Sequence, residues 1–221
     1  MKNTSEIKKS IDKNLLKLAL STKGFMPEDE GLALYKYFKL SATSKSCCGM
    51  EIGAYCGRST LFLGAAAKES GATLFSLDHH RGSEENQIGW EHHDRELFDP
   101  ITGKLESLNK WRESITKADL DQSVVGLVGY SEVVAKFWQT SLDFLFIDGG
   151  HSRPSAFKDY RNWAKHVKKG GILAIHDVFE NPEDGGRPPY EIFLRAKESK
   201  AFVEIDSMGS LRFLSRIAQG I

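Results

Sequence analysis

The 221-residue sequence has no apolar run reaching the ~20 residues that a membrane helix needs. Met1 to Ser10 is polar, where a signal peptide would carry an apolar stretch. Cysteines number three, and Cys47 and Cys48 are adjacent, so they do not make a disulfide framework. Lys and Arg total 30 and Asp and Glu total 30, a formal net charge of +0, so the chain lacks the basic footprint of a nucleic-acid binder. Repeats and low-complexity tracts are absent, and so is the G-x-G-x-x-G string that seats a pyrophosphate. The expectation is a cytoplasmic protein in a reducing compartment, with no membrane and no nucleic acid among its partners. Self-association as a homo-oligomer is compatible with this composition.

What is present is enough apolar material for a real core, 40% of residues, laid out as short apolar runs alternating with helical stretches. That alternation predicts an α/β fold, a doubly wound and mostly parallel sheet with helices on both faces. Strands are expected at 48–53, 73–78, 124–128, 142–148 and 172–176. An antiparallel hairpin, 202–206 with 210–214 around Met208-Gly209, makes the sheet seven-stranded. Helices are expected at 5–20, 29–39, 59–68, 105–117 and 131–138. A further helix starts at Pro154 with Phe157, Tyr160, Ala164 and Val167 in register, and is broken by Gly170-Gly171; another runs from Tyr190 to Lys200. Residues 1–40 read as an N-terminal helical extension and 41–221 as one α/β domain, with no linker between them.

Glu51-Ile-Gly-Ala-Tyr-Cys-Gly57 lies between a strand and a helix. Glycines at 53 and 57 let the backbone turn sharply and come close to a ligand. An acid opening the loop suits a ligand bearing an ammonium and a sulfonium better than one bearing phosphates. Ser59 and Thr60 begin the next helix, where hydroxyls and free N–H groups suit a carboxylate. Asp78 closes the second strand, where a carboxylate can accept both hydroxyls of a ribose. A glycine turn with a helix cap and no ligand is the plainer alternative.

The string Glu51 to Gly57 resembles the first motif of class I S-adenosylmethionine methyltransferases. Gly53-Ala-Tyr-Cys-Gly57 with Ser59 is similar to the catechol O-methyltransferase branch. Phe144-Leu-Phe-Ile-Asp148-Gly-Gly-His151 and Gly170-Gly-Ile-Leu-Ala-Ile-His-Asp177 resemble bacterial small-molecule O-methyltransferases. The likeness spans about residues 24–178 and implies a Rossmann-like methyltransferase fold, S-adenosylmethionine as cofactor and a small-molecule hydroxyl acceptor. It implies that Glu51, Gly53 and Ser59 meet the methionine part, with Ala54 and Gly57 in the same loop. It implies Asp78 on the ribose, with His79 beside it, and Gly129, Tyr130 and Ser131 along the adenine. Phe25 and Met26 match the segment that closes over the cofactor, and Asp148 borders it.

Asp148 and Asp177 end neighbouring apolar strands, on the edge where open α/β sheets bind ligands. A charge there needs a partner. Helix capping or a salt bridge is one reading. The other is a divalent cation, Mg or Mn, held by Asp148, His176 and Asp177, as the resemblance suggests; His176 departs from that branch, which carries an acid there. The resemblance also places a general base at His151, for which a histidine capping the next helix is the alternative; His176 is a second candidate to take the acceptor proton. His79-His80 and His92-His93 lie in the long polar stretch 79–104, which reads as a binding loop rather than a metal site, with Arg81, Glu85 and Trp90 shaping an acceptor pocket. Residues 183–190, with Arg187 and Tyr190, read as a second such loop or a plain connection. A nicotinamide-dependent oxidoreductase, a hydrolase with a metal on the histidine cluster, and a non-catalytic methyltransferase-like binding module are the rival functions.

Overall fold

The computed structural model describes residues 8, 10–44, 46–83, 94–181 and 183–221. The described helices are α1 (Lys13–Ser21), α2 (Glu28–Ser41), α3 (Arg58–Ser70), α4 (Leu108–Lys117), α5 (Ser131–Val134), α6 (Arg153–Trp163) and α7 (Arg187–Glu198). The strands are β1 (Cys48–Ile52), β2 (Thr73–Asp78), β3 (Phe98–Asp99), β4 (Lys104–Leu105), β5 (Val124–Val128), β6 (Leu142–Ile147), β7 (Val167–Ile175), β8 (Phe202–Met208) and β9 (Leu211–Arg216).

Seven of these strands form one sheet in the order β5-β2-β1-β6-β7-β9-β8. β1 pairs in parallel with β2 on one side and β6 on the other. β5 and β7 extend the parallel part outward, and β9 returns antiparallel to β7 with β8 on the edge. This is the doubly wound, mostly parallel sheet with a C-terminal antiparallel hairpin that the alternation predicts. β1 and β6 are buried along their whole length, as central strands covered on both faces must be. One face packs against α1, α2, α3 and α4 through Leu16, Phe38, Phe62 and Trp111. The other packs against α6 and α7 through Tyr160, Trp163, Ile192 and Phe193. No described helix is long and apolar enough to cross a membrane.

Several boundaries differ from the sequence expectation for identifiable reasons. The helix expected at 5–20 is interrupted: Lys8 and Ser10 are helical, the chain leaves the helix at Ile11 and Asp12, and α1 starts afresh at Lys13, where the Asp12 carboxylate caps it by accepting from the N–H groups of Asn14 and Leu15. Gly170-Gly171 does not end a helix. α6 stops at Trp163, a 3₁₀ turn covers Ala164–His166, and β7 runs through both glycines. The buried stripe of α6 is Ala156, Asp159, Tyr160 and Trp163, rotated from the spacing through Phe157. Within 79–104, a 3₁₀ turn at Arg95–Leu97 leads into the short β3–β4 hairpin. Glu85, Trp90, His92 and His93 lie outside the described residues.

The order reverses at β1, whose neighbours β2 and β6 lead to opposite halves of the sheet. The crevice outside the carboxyl ends at such a reversal is where open α/β sheets take ligands.

Candidate active site

A cavity of about 750 Å³ opens there, of a size that takes a drug-sized ligand. Its wall includes Phe25, Met26, Gly53, Ala54, Ser59, Asp78, His79, Gly129, Tyr130, Ser131, Asp148, His151, His176 and Asp177. The chain thus brings the ends of β1, β2, β5, β6 and β7 to one place. Glu51 and Gly57, which the sequence sets among the ligand contacts, are not in this wall.

Glu51 is fully buried beneath it. The hydroxyls of Ser59, Thr60 and Ser76 each donate to its carboxylate at 2.6 Å. Loss of hydration pushes its carboxyl up to about 7; the three hydroxyl bonds oppose this and the charge of Asp148 adds to it. Ser59 and Thr60 therefore spend their hydroxyls on Glu51, anchoring the start of α3 to β1 and β2. A carboxyl held protonated to about pH 7 in the fold and ionising near 4.5 when unfolded supports the fold fully below pH 4.5 and loses that contribution as pH rises to 7. Urea unfolding of Glu51→Gln beside the parent should show it: the variant gains about 3 kcal/mol relative to the parent between pH 4.5 and pH 8. Parallel pH profiles would mean that the three hydroxyls hold Glu51 ionised.

Gly53 and Gly57 have φ of +90° and +95°, where only glycine is at ease. At Gly53 the close approach is to the protein itself. A Cβ would sit 2.1 Å from the carbonyl oxygen of Asp148, so the loop after β1 and the loop after β6 touch at the reversal point. Gly57 caps α3 against the ring of Trp111.

Asp78 fastens the loop from the other side. One carboxylate oxygen accepts the N–H groups of Ala54 and Tyr55, at 2.9 and 2.8 Å, and the other accepts the N–H of His80 at 2.7 Å. A carboxylate has about four acceptor sites, so capacity remains toward the cavity. His80 turns away from it: the ring is buried and Nδ1 lies 2.8 Å from the Ser107 hydroxyl. His79 stays at the wall, its ring 4.7 Å from that of Tyr130. Phe25 leans on Tyr55, with ring centroids 5.8 Å apart. Arg81 lines the cavity and pairs with Glu106 at 3.0 Å. Arg187 and Tyr190 pack on each other outside the wall.

At the far end, His176 is held between two carboxylates. Its Nε2 donates to Glu30 at 2.6 Å and its Nδ1 to Asp148 at 2.9 Å. Burial alone would pull its pKa down, but the charge of Asp148, the bonds to Asp148 and Glu30, and the charge of Asp177 outweigh that and raise it well above the ordinary value. A doubly protonated ring has no lone pair for a metal or for a proton. In this arrangement the expected set of Asp148, His176 and Asp177, and the expectation of His176 as a proton acceptor, would each require Glu30 or Asp148 to release the ring. The described group whose ligand atoms converge, within 4.8 Å of one another, is Asp148, His151 and Asp177. His151 Nε2 is 2.9 Å from an Asp177 carboxylate oxygen. Asp177 itself is held at φ +54°, a strained conformation of the kind that clusters at functional sites.

Three wall or anchoring residues escaped the sequence reading. Glu30 lies on the buried face of α2 together with Leu34, Tyr37 and Ser41, and Asp159 lies on the buried stripe of α6. An acid within an apolar helical stripe is a readable signal in both cases. Arg58, the first residue of α3, also lines the cavity. Its Nε is buried without a hydrogen-bond partner, and no described carboxylate lies within 4 Å of its guanidinium.

Residues 50–178 match the family described as "Methyltransferase domain", and the chain belongs to that family. Its fold is the class I, Rossmann-like methyltransferase fold. The O-methyltransferase NovP superposes with a TM-score of 0.66 at 16% identity, over 98% of this chain and 100% of that one. A methyltransferase of Podospora anserina, PaMTH1, solved with S-adenosylhomocysteine (SAH), gives 0.65 at 14% identity, over 97% and 94%. The O-methyltransferase TomG of Streptomyces achromogenes, solved with S-adenosylmethionine (SAM), gives 0.64 at 13%, over 94% and 91%.

Proposed function

We propose that this chain transfers the methyl group of S-adenosylmethionine to a hydroxyl oxygen of a small acceptor, with His151 as general base. The observation that carries the reading is the meeting, in one cavity, of Asp78 with spare acceptor capacity and the His151–Asp177 pair. The wall fits the methyl donor: Asp78 suits the ribose hydroxyls, and the Arg58 guanidinium, with no described carboxylate to pair with, suits the amino-acid carboxylate. NovP and TomG being O-methyltransferases, and PaMTH1 and TomG holding SAH and SAM, agree with it.

When bound, the sulfonium supplies an electrophilic methyl. The protein's part is to align the acceptor oxygen with it and to take the hydroxyl proton. Orientation of that kind supplies several kcal/mol. Asp177 accepts the Nε2 proton of His151, which fixes the tautomer and leaves Nδ1 to receive the acceptor proton.

The observation that Asp148, His151 and Asp177 converge favours a second reading, in which these three hold a Mg or Mn ion that binds the acceptor oxygen and lowers its pKa. In both readings His176 stays an imidazolium that positions Asp148 and takes no part in ligation.

Calorimetry with SAH tests the donor assignment. Wild-type protein should bind it, and Asp78→Asn, which keeps the shape but loses the charge-assisted bonds, should bind about 10- to 100-fold more weakly. Binding of a nicotinamide dinucleotide in place of SAH would overturn it.

A further inference from the structure

Gly24, Phe25 and Met26 stand in the cavity wall, yet they belong to the bend between α1 and α2 and not to the sheet. The residue before them, Lys23, lies outside the wall and reaches across to a distant part of the chain. Its ammonium is 2.6 Å from a carboxylate oxygen of Asp94 and 2.6 Å from one of Glu96, 71 and 73 positions away. Asp94 is held firmly on its own side. The oxygen that meets Lys23 also accepts the Tyr55 hydroxyl at 3.0 Å, and the other accepts the Glu96 N–H at 3.0 Å, capping the 3₁₀ turn Arg95–Leu97. Leu97 is buried with Cys56 and Leu105, and Tyr55 packs against them. Asp94 is therefore fixed to the loop between β1 and α3, and Lys23 fastens the bend to it.

Both charges answer to the contact. The bonds to Asp94 and Glu96 raise the Lys23 pKa, with burial opposing them. Burial would raise the Asp94 pKa, but Lys23, the Glu96 N–H and Tyr55 outweigh it and hold that pKa low. The bend has a second fastening at Arg58, whose Nη1 donates to the Gly24 carbonyl at 3.3 Å. A Cβ at position 24 would come within 2.8 Å of the Arg58 Cβ, so the two chains touch there. Arg58 is also the group that suits the donor's carboxylate. A donor on that guanidinium is thus covered by a bend that Arg58 and Lys23 hold in place together.

We infer that Lys23, gripped by Asp94 and Glu96, is a latch: a positioning residue that keeps residues 24–26 shut on the bound donor and sets the rate at which the spent donor leaves. The inference rests on the proposed S-adenosylmethionine function. Transfer of the methyl turns the sulfonium into the thioether SAH, which must depart before the next donor enters, and a release step of this kind limits turnover in many enzymes. Half-exposed charges suit such a latch. The Lys23 and Asp94 side chains are 41% and 16% exposed, so the pair is weak enough to open and is screened by salt.

The test is the release of tritium-labelled SAH into an excess of unlabelled SAH, from wild type, Lys23→Met, Lys23→Arg, Asp94→Asn and the Lys23→Met/Asp94→Asn double variant. Lys23→Met keeps the stem and loses the charge, and should release SAH about 3- to 10-fold faster at low salt. Salt should speed release from wild type and do so much less in Lys23→Met. Lys23→Arg keeps the charge and should stay close to the wild-type rate. The double variant should be no faster than the faster of its two single changes, because either one alone opens the latch. Release at the wild-type rate from folded Lys23→Met, or gains that multiply in the double variant, would overturn the latch and leave a surface ion pair. If Asp94→Asn fails to fold, as judged by circular dichroism, Lys23→Met and its salt profile decide alone. Failure of wild type to bind SAH at all would instead overturn the donor assignment.

Discussion

Glu30→Ala should lower folding stability by about 3–5 kcal/mol, or about 10 °C in Tm for a chain of this size. Glu30 and His176 are 3% and 6% exposed. One Glu30 oxygen receives the His176 Nε2 proton and the other receives the Ser210 N–H at 2.6 Å and the Ser210 hydroxyl at 3.1 Å. The carboxylate thus ties three remote parts of the chain: α2, the end of β7 and the β8–β9 turn. Burial favours its neutral form, but His176 and Ser210 together outweigh that and hold its pKa below the usual carboxylate value. Truncation strands a buried imidazolium proton and a buried backbone N–H at once, and both are expensive when unpaired. Glu30→Gln keeps the packing and one acceptor oxygen but sets an NH2 donor against the other partner, and should fall between wild type and alanine. In a double-mutant cycle, Glu30→Ala with His176→Ala should cost clearly less than the sum of the single changes, because the second removes the group that the first leaves stranded. Additive losses by urea denaturation would mean that the pair is not coupled.

That bond also shows what the sequence does and does not disclose. The strands were legible because a parallel strand covered on both faces must be a short apolar run, and Phe144-Leu-Phe-Ile147 or Ile172-Leu-Ala-Ile175 can be little else. The location of the cavity was legible too, since glycines and acids stand where those runs end. Partnership was not. His176 and Asp177 are neighbours in sequence, but a turn at φ +54° sends Asp177 to His151 while His176 goes to Glu30, 146 positions away. Adjacent residues after a strand can face opposite ways, and only the packing decides which faces the ligand. The side of the strand likewise decides where Glu51 lies. Met50 and Ile52 pack on one side of β1, so Glu51 falls on the other, under α3, where Ser59, Thr60 and Ser76 collect around it. Gly53 makes a close approach, and the backbone it meets is that of Asp148.

His151→Ala should lower kcat by about 10²- to 10⁴-fold while leaving SAH affinity unchanged. The ring is placed by Asp177, 2.9 Å from its Nε2, in the same wall as Asp78 and Ser59 but at the β6–β7 side, away from the part assigned to the donor. A group that acts only on the acceptor proton should register in turnover and not in donor binding. The deficit should narrow as pH rises, because an acceptor that has already lost its proton to solvent no longer needs a base. Asp177→Asn should show a smaller loss of the same kind, since it leaves the imidazole in place but no longer selects its tautomer. A chelator then separates the two readings of the cluster. With His151 acting as base beside Asp177, turnover survives chelation and only the two substitutions reduce it. With an ion on Asp148, His151 and Asp177, chelation abolishes turnover, added Mg or Mn restores it, and Asp148→Ala matches the chelated enzyme. His176→Gln distinguishes them further from the original expectation. It should leave the metal requirement as it was, because both ring nitrogens of His176 are already committed to Glu30 and Asp148. A metal affinity that collapses in His176→Gln while His151→Ala binds normally would restore His176 as a ligand and would require Glu30 to let go of it.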